Sequence, residues 1–259
     1  MFCRNISTLR YVSDASPSEA VSASLLALPP MPNLSQNPFH GSSWLIDAAR
    51  QRALDSAFNS TEMSSLLPTL AARSAVRDAY RQPTAFWLSD IASISEVAHP
   101  VLRSAAAKST PELVTFVVYN LPHRDCNAAA SAGELCCAPL QQNESCTSFM
   151  NNASAITSLM NCSHGLAAYE HSFIRPLAAL LTAYERVPTV LIIEPDSLPN
   201  LVTGGAACRS IATRHAYRGG ISLAIEQLAP LADAVYLDAA HGGCTRNPVA
   251  HHGFPHDTS

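Results

Sequence analysis

The sequence predicts an α/β fold built on a parallel sheet, and three observations lead to it. Four short apolar runs, Thr84–Leu88, Leu113–Tyr119, Val190–Ile193 and Ala234–Leu237, read as buried strands. Helical patterns separate them, as the crossovers between parallel strands require. The last three runs lead into Asp125, Asp196 and Asp238, and a parallel sheet brings the C-terminal ends of all its strands to one rim.

Length and composition set the frame. A chain of 259 residues is enough for one α/β domain with a full core. Charged residues make up 14% and the net charge is -4, which argues against a nucleic-acid partner and offers no field to steer a charged substrate. A neutral ligand fits better. No cofactor is expected, and a monomer is. No stretch approaches membrane-span length, so no membrane partner is expected, and the N-terminus lacks an apolar core long enough for a signal peptide. Eight cysteines, with sequons at Asn5, Asn33, Asn59, Asn143, Asn152 and Asn161, nevertheless favour an oxidising, secretory setting. The expected location is extracellular, the sequons being those of a glycoprotein.

Taken in order, residues 1–36 are rich in Ser, Pro and Ala without a period and read as a linker or loose lead-in. A domain follows over 37–243. Leu45–Arg81 is helical with breaks near Asn59 and at Pro68. The first strand carries Trp87, which ordinarily would be a core residue and, if exposed, would form a flat apolar platform. Ile94–Lys108 is the next helix. The second strand must be covered on both faces, and beyond it Cys126 and Asp196 lie 70 residues apart, more than one helical crossover needs. That excursion contains Cys136, Cys137, Cys146 and Cys162, which allow three pairings. Their adjacency and the sequons favour disulfides over a zinc site.

Leu166–Arg186 is helical despite Pro176, and Val190–Ile193 then runs into Glu194, Pro195 and Asp196. Pro195 cannot extend a ladder, and turn residues follow, so Asp196 either projects from a rigid loop or caps the next helix. A helix over Arg209–Leu228 would be interrupted by Gly219-Gly220. Beyond Asp238, residues 244–259 read as an irregular tail. His241, His251, His252 and His256 show no regular ligand spacing, so no metal is expected. Four βα steps fall short of the roughly eight strands that close a parallel barrel.

Three ordered blocks carry a resemblance. IEPDSLPNLVTG from Ile193 is similar to IEPDSLANLVT, FVVYNLPHRDCNAAASAG from Phe116 to FVVYDLPDRDCAALASNG, and YLDAAHGG from Tyr236 to YLDAGHAG. These are motifs of glycoside hydrolase family 6, the cellobiohydrolase II and endoglucanase type. Asn37-Pro38-Phe39 with Gly41 and Trp44 resembles the family's entry motif, and Trp87-Leu88-Ser89-Asp90 its Trp-Leu-Asp-Thr platform with the acid shifted by one. The resemblance spans Asn37 to Gly243, so it implies an incomplete, distorted parallel (β/α) barrel truncated at its C-terminus.

It also implies an inverting hydrolase of β-1,4-glucosidic bonds acting on cellulose or a related β-glucan. Asp196 would be the general acid and Asp125 the neighbouring carboxylate that keeps it protonated. Tyr119 would help distort the sugar, Arg124 would pair with the carboxylates, and Ser131 would hold a water chain leading to Asp125. Trp87 would be a sugar platform. Asp238 with His241 would form a substrate-binding corner, or else an Asp capping a turn beside its His. A disulfide between Cys126 and Cys208 would fasten the Asp125 loop to the loop after Asp196. The chain departs from the family at Asn120 and His123, both Asp in the motif, and at Cys244, where the motif is followed by Trp. The family's proposed base has no counterpart, so a catalytically inactive glucan-binding fragment is the competing expectation.

Overall fold

The computed structural model describes residues 37 to 238 other than 38, 59, 61–65, 67–68, 129–130 and 143. The expected lead-in, tail and histidine cluster, with His241 and Cys244, lie outside the described residues.

The sheet has four parallel strands in the order of the chain: β1 (Phe86–Leu88), β2 (Val114–Val118), β3 (Thr189–Ile193) and β4 (Ala234–Leu237). Phe86, Phe116, Leu191 and Val235 stand in register, and so do Leu88, Val118, Ile193 and Leu237. Successive strands are therefore direct neighbours, and all four tips point one way. Side chains alternate between faces. Phe86, Leu88, Phe116, Val118, Leu191 and Ile193 face the main core, under the crossover helices. The other face carries Val190 and Ala234, packed with Leu113 beneath Phe39, Trp44 and Tyr236. The entry segment is what covers it. Leu113 donates to Ser43 O (2.7 Å), Leu45 donates to Leu113 O (2.9 Å), and Phe39 stacks on Trp44 at 4.8 Å.

The helices differ from the sequence expectation mainly in their interruptions. The stretch expected over Leu45–Arg81 yields α1 (Ala48–Phe58) and α2 (Leu70–Tyr80), the latter capped by Thr69 through Ala72 N. Ile94–Lys108 begins as a π-helical turn, Ile94–Ala98, before α3 (His99–Ala106). The excursion after β2 holds α4 (Cys146–Asn151) and α5 (Ala153–Ser158). It is closed by disulfides Cys136–Cys146 and Cys137–Cys162. The next helix starts earlier than expected, as α6 (Ser163–Tyr169), and passes through a π turn, Glu170–Ile174, into α7 (Arg175–Ala183). Pro176 sits at the start of α7, where its missing N–H costs little. α8 (Ser197–Thr203) follows β3, and α9 (Ile211–Leu228) leads to β4.

The expected break at Gly219-Gly220 is corrected. α9 runs through both residues. Glycine there answers a packing demand: a Cβ on Gly220 would come within 2.2 Å of Leu121 Cδ2, whereas one on Gly219 would meet only the tip of Leu166 at 3.1 Å. Leu121 is fully buried at the β2 exit, so it has nowhere to move. Gly219→Ala is therefore expected to stabilise by up to about 1 kcal/mol through helix propensity. Gly220→Ala should destabilise by about 1–3 kcal/mol through overpacking. Urea unfolding of the two variants checks the difference in sign.

Candidate active site

The chemistry-bearing residues gather where β1 to β4 end. Two of the four strand tips leave the sheet through unusual backbone. His123 (φ 62°), Asp125 (φ 53°), Glu194 (φ 44°) and Asp196 (φ 64°) all adopt positive φ. In both tips the pair is spaced by two residues. Left-handed backbone at a non-glycine residue is disfavoured, and such residues cluster where a site needs a fixed direction.

After β2, the Tyr119 hydroxyl donates to Asp125 Oδ1 at 2.6 Å. Burial and this donation to a carboxylate push the Tyr119 hydroxyl far above its ordinary range, so it stays a donor. Trp87 stands edge-on to Tyr119 at 5.3 Å and is 53% exposed, contrary to the core position ordinarily expected for a strand tryptophan. Arg124 lies over the Tyr119 ring at 4.7 Å.

Arg124 directs its hydrogen bonds to backbone carbonyls. Its Nη1 donates to Ser89 O (2.5 Å) and Tyr119 O (2.7 Å), and its Nε and Nη2 donate to Ser131 O (3.2 and 3.0 Å). The rigid guanidinium fork suits this work, because carbonyls beyond the ladder need donors that the irregular exit does not supply. Arg124 thus ties the β1 and β2 tips and the 131 loop together. Ser131 gives its carbonyl to Arg124, and its hydroxyl donates to Ala128 O at 3.5 Å.

After β3, Asp196 occupies the N-cap position of α8, yet its side chain makes no capping bond. The capping alternative therefore does not describe it. Its backbone N–H donates to Asp238 Oδ2 at 2.9 Å, bringing the β4 tip against the β3 tip. Partial burial, then the charge of Asp238, then that of Asp125, push the Asp196 carboxyl above the usual aspartate range. Asp238 thus outweighs Asp125, the neighbour expected to dominate.

Several supporting residues were not singled out from sequence. Glu194 is 2% exposed at the β3 tip, and burial pushes its carboxyl up to about 7. Asn127 donates from Nδ2 to Asn200 Oδ1 (3.3 Å) and accepts from Gly205 N at Oδ1 (2.7 Å), spanning the two loops that Cys126–Cys208 also joins. Glu134 Oε1 accepts from Ile91 N (2.6 Å) and Asn120 Nδ2 (3.0 Å). The only available sequence signal was a charged residue directly after four apolar ones, at Glu194.

His123 comes within 4.8 Å of the Cys136 and Cys146 sulfurs, the spacing of a metal site. The donor set does not fit one. Those sulfurs are bonded to each other, and both ring nitrogens are occupied. Nε2 accepts from Cys137 N (3.1 Å), which leaves the proton on Nδ1 to be donated to Thr213 Oγ1 (3.0 Å). Burial depresses the His123 pKa to about 4, keeping the ring neutral.

The ordering of influences on Asp196 yields a prediction. In 13C-detected titrations of its carboxyl, Asp238→Asn should lower the midpoint more than Asp125→Asn does, since each removes a negative neighbour and the larger influence is that of Asp238.

Comparison with known proteins agrees with the geometry. The profile of Glycosyl hydrolases family 6 matches residues 39–156 and 152–250. Endoglucanase-6B of Humicola insolens is 32% identical over 215 residues, covering 81% of this chain and 53% of the relative. The 1,4-beta-D-glucan cellobiohydrolase CEL6B of Podospora anserina is 29% identical over 222 residues, 83% of this chain and 45% of its own length. Among solved structures, the CcCel6A catalytic domain complexed with p-nitrophenyl beta-D-cellotrioside superposes with a TM-score of 0.62 at 28% identity, covering 80% of this chain and 50% of that one. The chain thus spans about half the length of these relatives. With its fold, its rim of carboxylates and some four-fifths of its length aligned to such enzymes, this chain belongs to glycosyl hydrolases family 6.

Proposed function

We propose that this chain hydrolyses β-1,4-glucosidic bonds in cellulose or a related β-glucan, with inversion and with Asp196 as general acid. The observation that carries the reading is the state of Asp196: held on a left-handed turn, free of any capping role, and raised by burial and two carboxylate neighbours. A general acid must be protonated at working pH, and that environment favours the neutral form. Solved relatives supply the substrate class, one being a complex with p-nitrophenyl beta-D-cellotrioside and another a complex with glucose and cellotetraose.

The steps follow from the chemistry. Asp196 gives its proton to the glycosidic oxygen as the bond from that oxygen to the anomeric carbon breaks. A water attacks that carbon from the opposite face, and its proton passes along a water chain held at Ser131 to the Asp125 carboxylate, which accepts it. Tyr119, held by Asp125, bears on the ring at the cleavage point, and Trp87 stacks a neighbouring glucosyl unit. Asp238 orients the Asp196 backbone and, with His241, meets the substrate. In this reading the four-stranded sheet is a portion of a distorted (β/α) barrel, as β1 and β4 each have one strand neighbour among the described residues.

An extracellular location accompanies this function. Three disulfides, one of them tying the two acid loops, suit an oxidising extracellular setting. Exposed sequon residues Asn152 and Asn161 suit glycosylation there.

Reducing-sugar release from a soluble β-1,4-glucan tests the function. Asp196→Asn should lower kcat about 10²- to 10⁴-fold, the usual worth of a general acid. Activity of the unaltered chain should fall as pH rises through the raised Asp196 pKa, because only the protonated form donates. Removing the Asp238 charge should move that alkaline limb to lower pH. A cooperatively folded chain that binds glucan yet releases no sugar would overturn the hydrolase reading in favour of glucan binding.

A further inference from the structure

Glu194 has no part in the proton transfers above, yet it places a carboxyl group in the protein interior two residues before Asp196. Its oxygens are fully engaged. Oε1 accepts from Asn120 N (3.0 Å) and from the Tyr169 hydroxyl (2.7 Å), and Oε2 accepts from Leu121 N (3.3 Å). The backbone of Glu194 is engaged too, donating to Val118 O at 2.8 Å and accepting from Ser197 Oγ.

These partners lie where the sheet stops. The β2–β3 register ends at Val118 and Ile193, and beyond it the N–H groups of Asn120 and Leu121 have no strand to pair with. The Glu194 carboxyl replaces the missing strand. A buried carboxyl is costly unless hydrogen bonded, and a buried N–H is costly unless accepted, so three donors and two oxygens satisfy each other. An apolar residue of similar size would fill the space but would leave two N–H groups and a hydroxyl orphaned.

The geometry points to Glu194, with Tyr169, as a positioning residue for Asp196: it pins the 194–196 turn to the β2 exit, so that the Asp196 carboxyl stays beside Asp238 and Asp125. Its importance for catalysis rests on the reading of Asp196 as general acid, while its effect on the Asp196 environment does not. Tyr169 is fully buried at the end of α6, immediately after the segment fastened by Cys137–Cys162. The latch therefore connects the disulfide-closed excursion to the acid turn. The charge facing Glu194 from the β2 exit is that of Arg124, which favours the ionised carboxylate, as do its three donors.

The experiment compares unaltered protein, Glu194→Gln and Tyr169→Phe, each checked for cooperative melting, by 13C-detected titration of the Asp196 carboxyl. If the latch sets the position of Asp196, the midpoint falls toward the ordinary aspartate range in Glu194→Gln and by a smaller step in Tyr169→Phe. A merely structural role lowers the melting temperature and leaves the midpoint where it was. On a soluble β-glucan, Glu194→Gln should lower kcat tenfold or more with KM little changed, since a misplacement of about 1 Å can cost ~10²-fold. Should the unaltered chain prove inactive, the hydrolase reading falls and the titration still decides the latch. An unmoved midpoint in both folded variants overturns the inference. If Glu194→Gln does not fold, an unmoved midpoint in Tyr169→Phe overturns it alone.

Discussion

Left-handed backbone at a residue with a Cβ costs roughly 1–3 kcal/mol, and the rim of this sheet contains four such residues. Asp125, Asp196 and His123 are of types that tolerate the conformation, whereas Glu194 is not and is helped locally by Ser197, whose hydroxyl donates to its carbonyl. The turns persist because their surroundings are fixed from several directions. Tyr217 donates to His123 O (2.8 Å), Arg124 collects the carbonyls of Ser89, Tyr119 and Ser131, and Glu194 accepts from Asn120 and Leu121. Cys126–Cys208 closes a separation of 82 residues across the same two loops. In the chain-entropy account a crosslink of that span contributes about 4 kcal/mol, enough to offset a good part of the strain in the turns it connects.

That arrangement decides what kind of acid Asp196 is. A flexible carboxyl on a solvated loop would relax away from neighbouring negative charge and titrate in the ordinary range. Here its own N–H is bound to Asp238, so its carboxyl stays near a charge that it would otherwise avoid. The backbone hydrogen bond and the electrostatic repulsion are two consequences of one geometry. Asp238 therefore serves as a fixed electrostatic neighbour as well as an anchor.

The strands were legible because a parallel sheet covered on both faces leaves an almost unbroken apolar run. Ala234–Leu237 agrees residue for residue, and the other three differ by trimmed or added ends. Interruptions were harder to read. Pattern alone did not reveal the π turns at Ile94–Ala98 and Glu170–Ile174, since a single extra residue per turn scarcely alters an apolar stripe. Gly219-Gly220 misled because propensity sees only the helix, whereas Leu121 sets the requirement from across the core. The placement of Asp125 and Asp196 beyond the ends of β2 and β3 was legible through their motifs. The stronger influence of Asp238 was not, because it depends on a hydrogen bond between two strand tips 42 residues apart. Glu194 was visible as a residue but not as a device, since its partners Tyr169, Asn120 and Leu121 come from two separate segments.

The two departures within the second motif have a common physical basis. At position 123 the side chain is 1% exposed and faces one donor, Cys137 N, and one hydroxyl, Thr213 Oγ1. An aspartate there could accept from both but would bury a charge with no cation among its named partners. A neutral histidine satisfies both without that cost. At position 120 the amide donates to Glu134, whereas an aspartate would set two carboxyl groups against each other unless they shared a proton. In both places an uncharged side chain stands where the motif has an aspartate. Each secures the segment after Ser131, through Glu134 or Cys137, to the β2 exit. Asn120 and His123 thus retune how the loop is held and leave intact the pair of carboxylates, Asp125 and Asp238, that raise the acid.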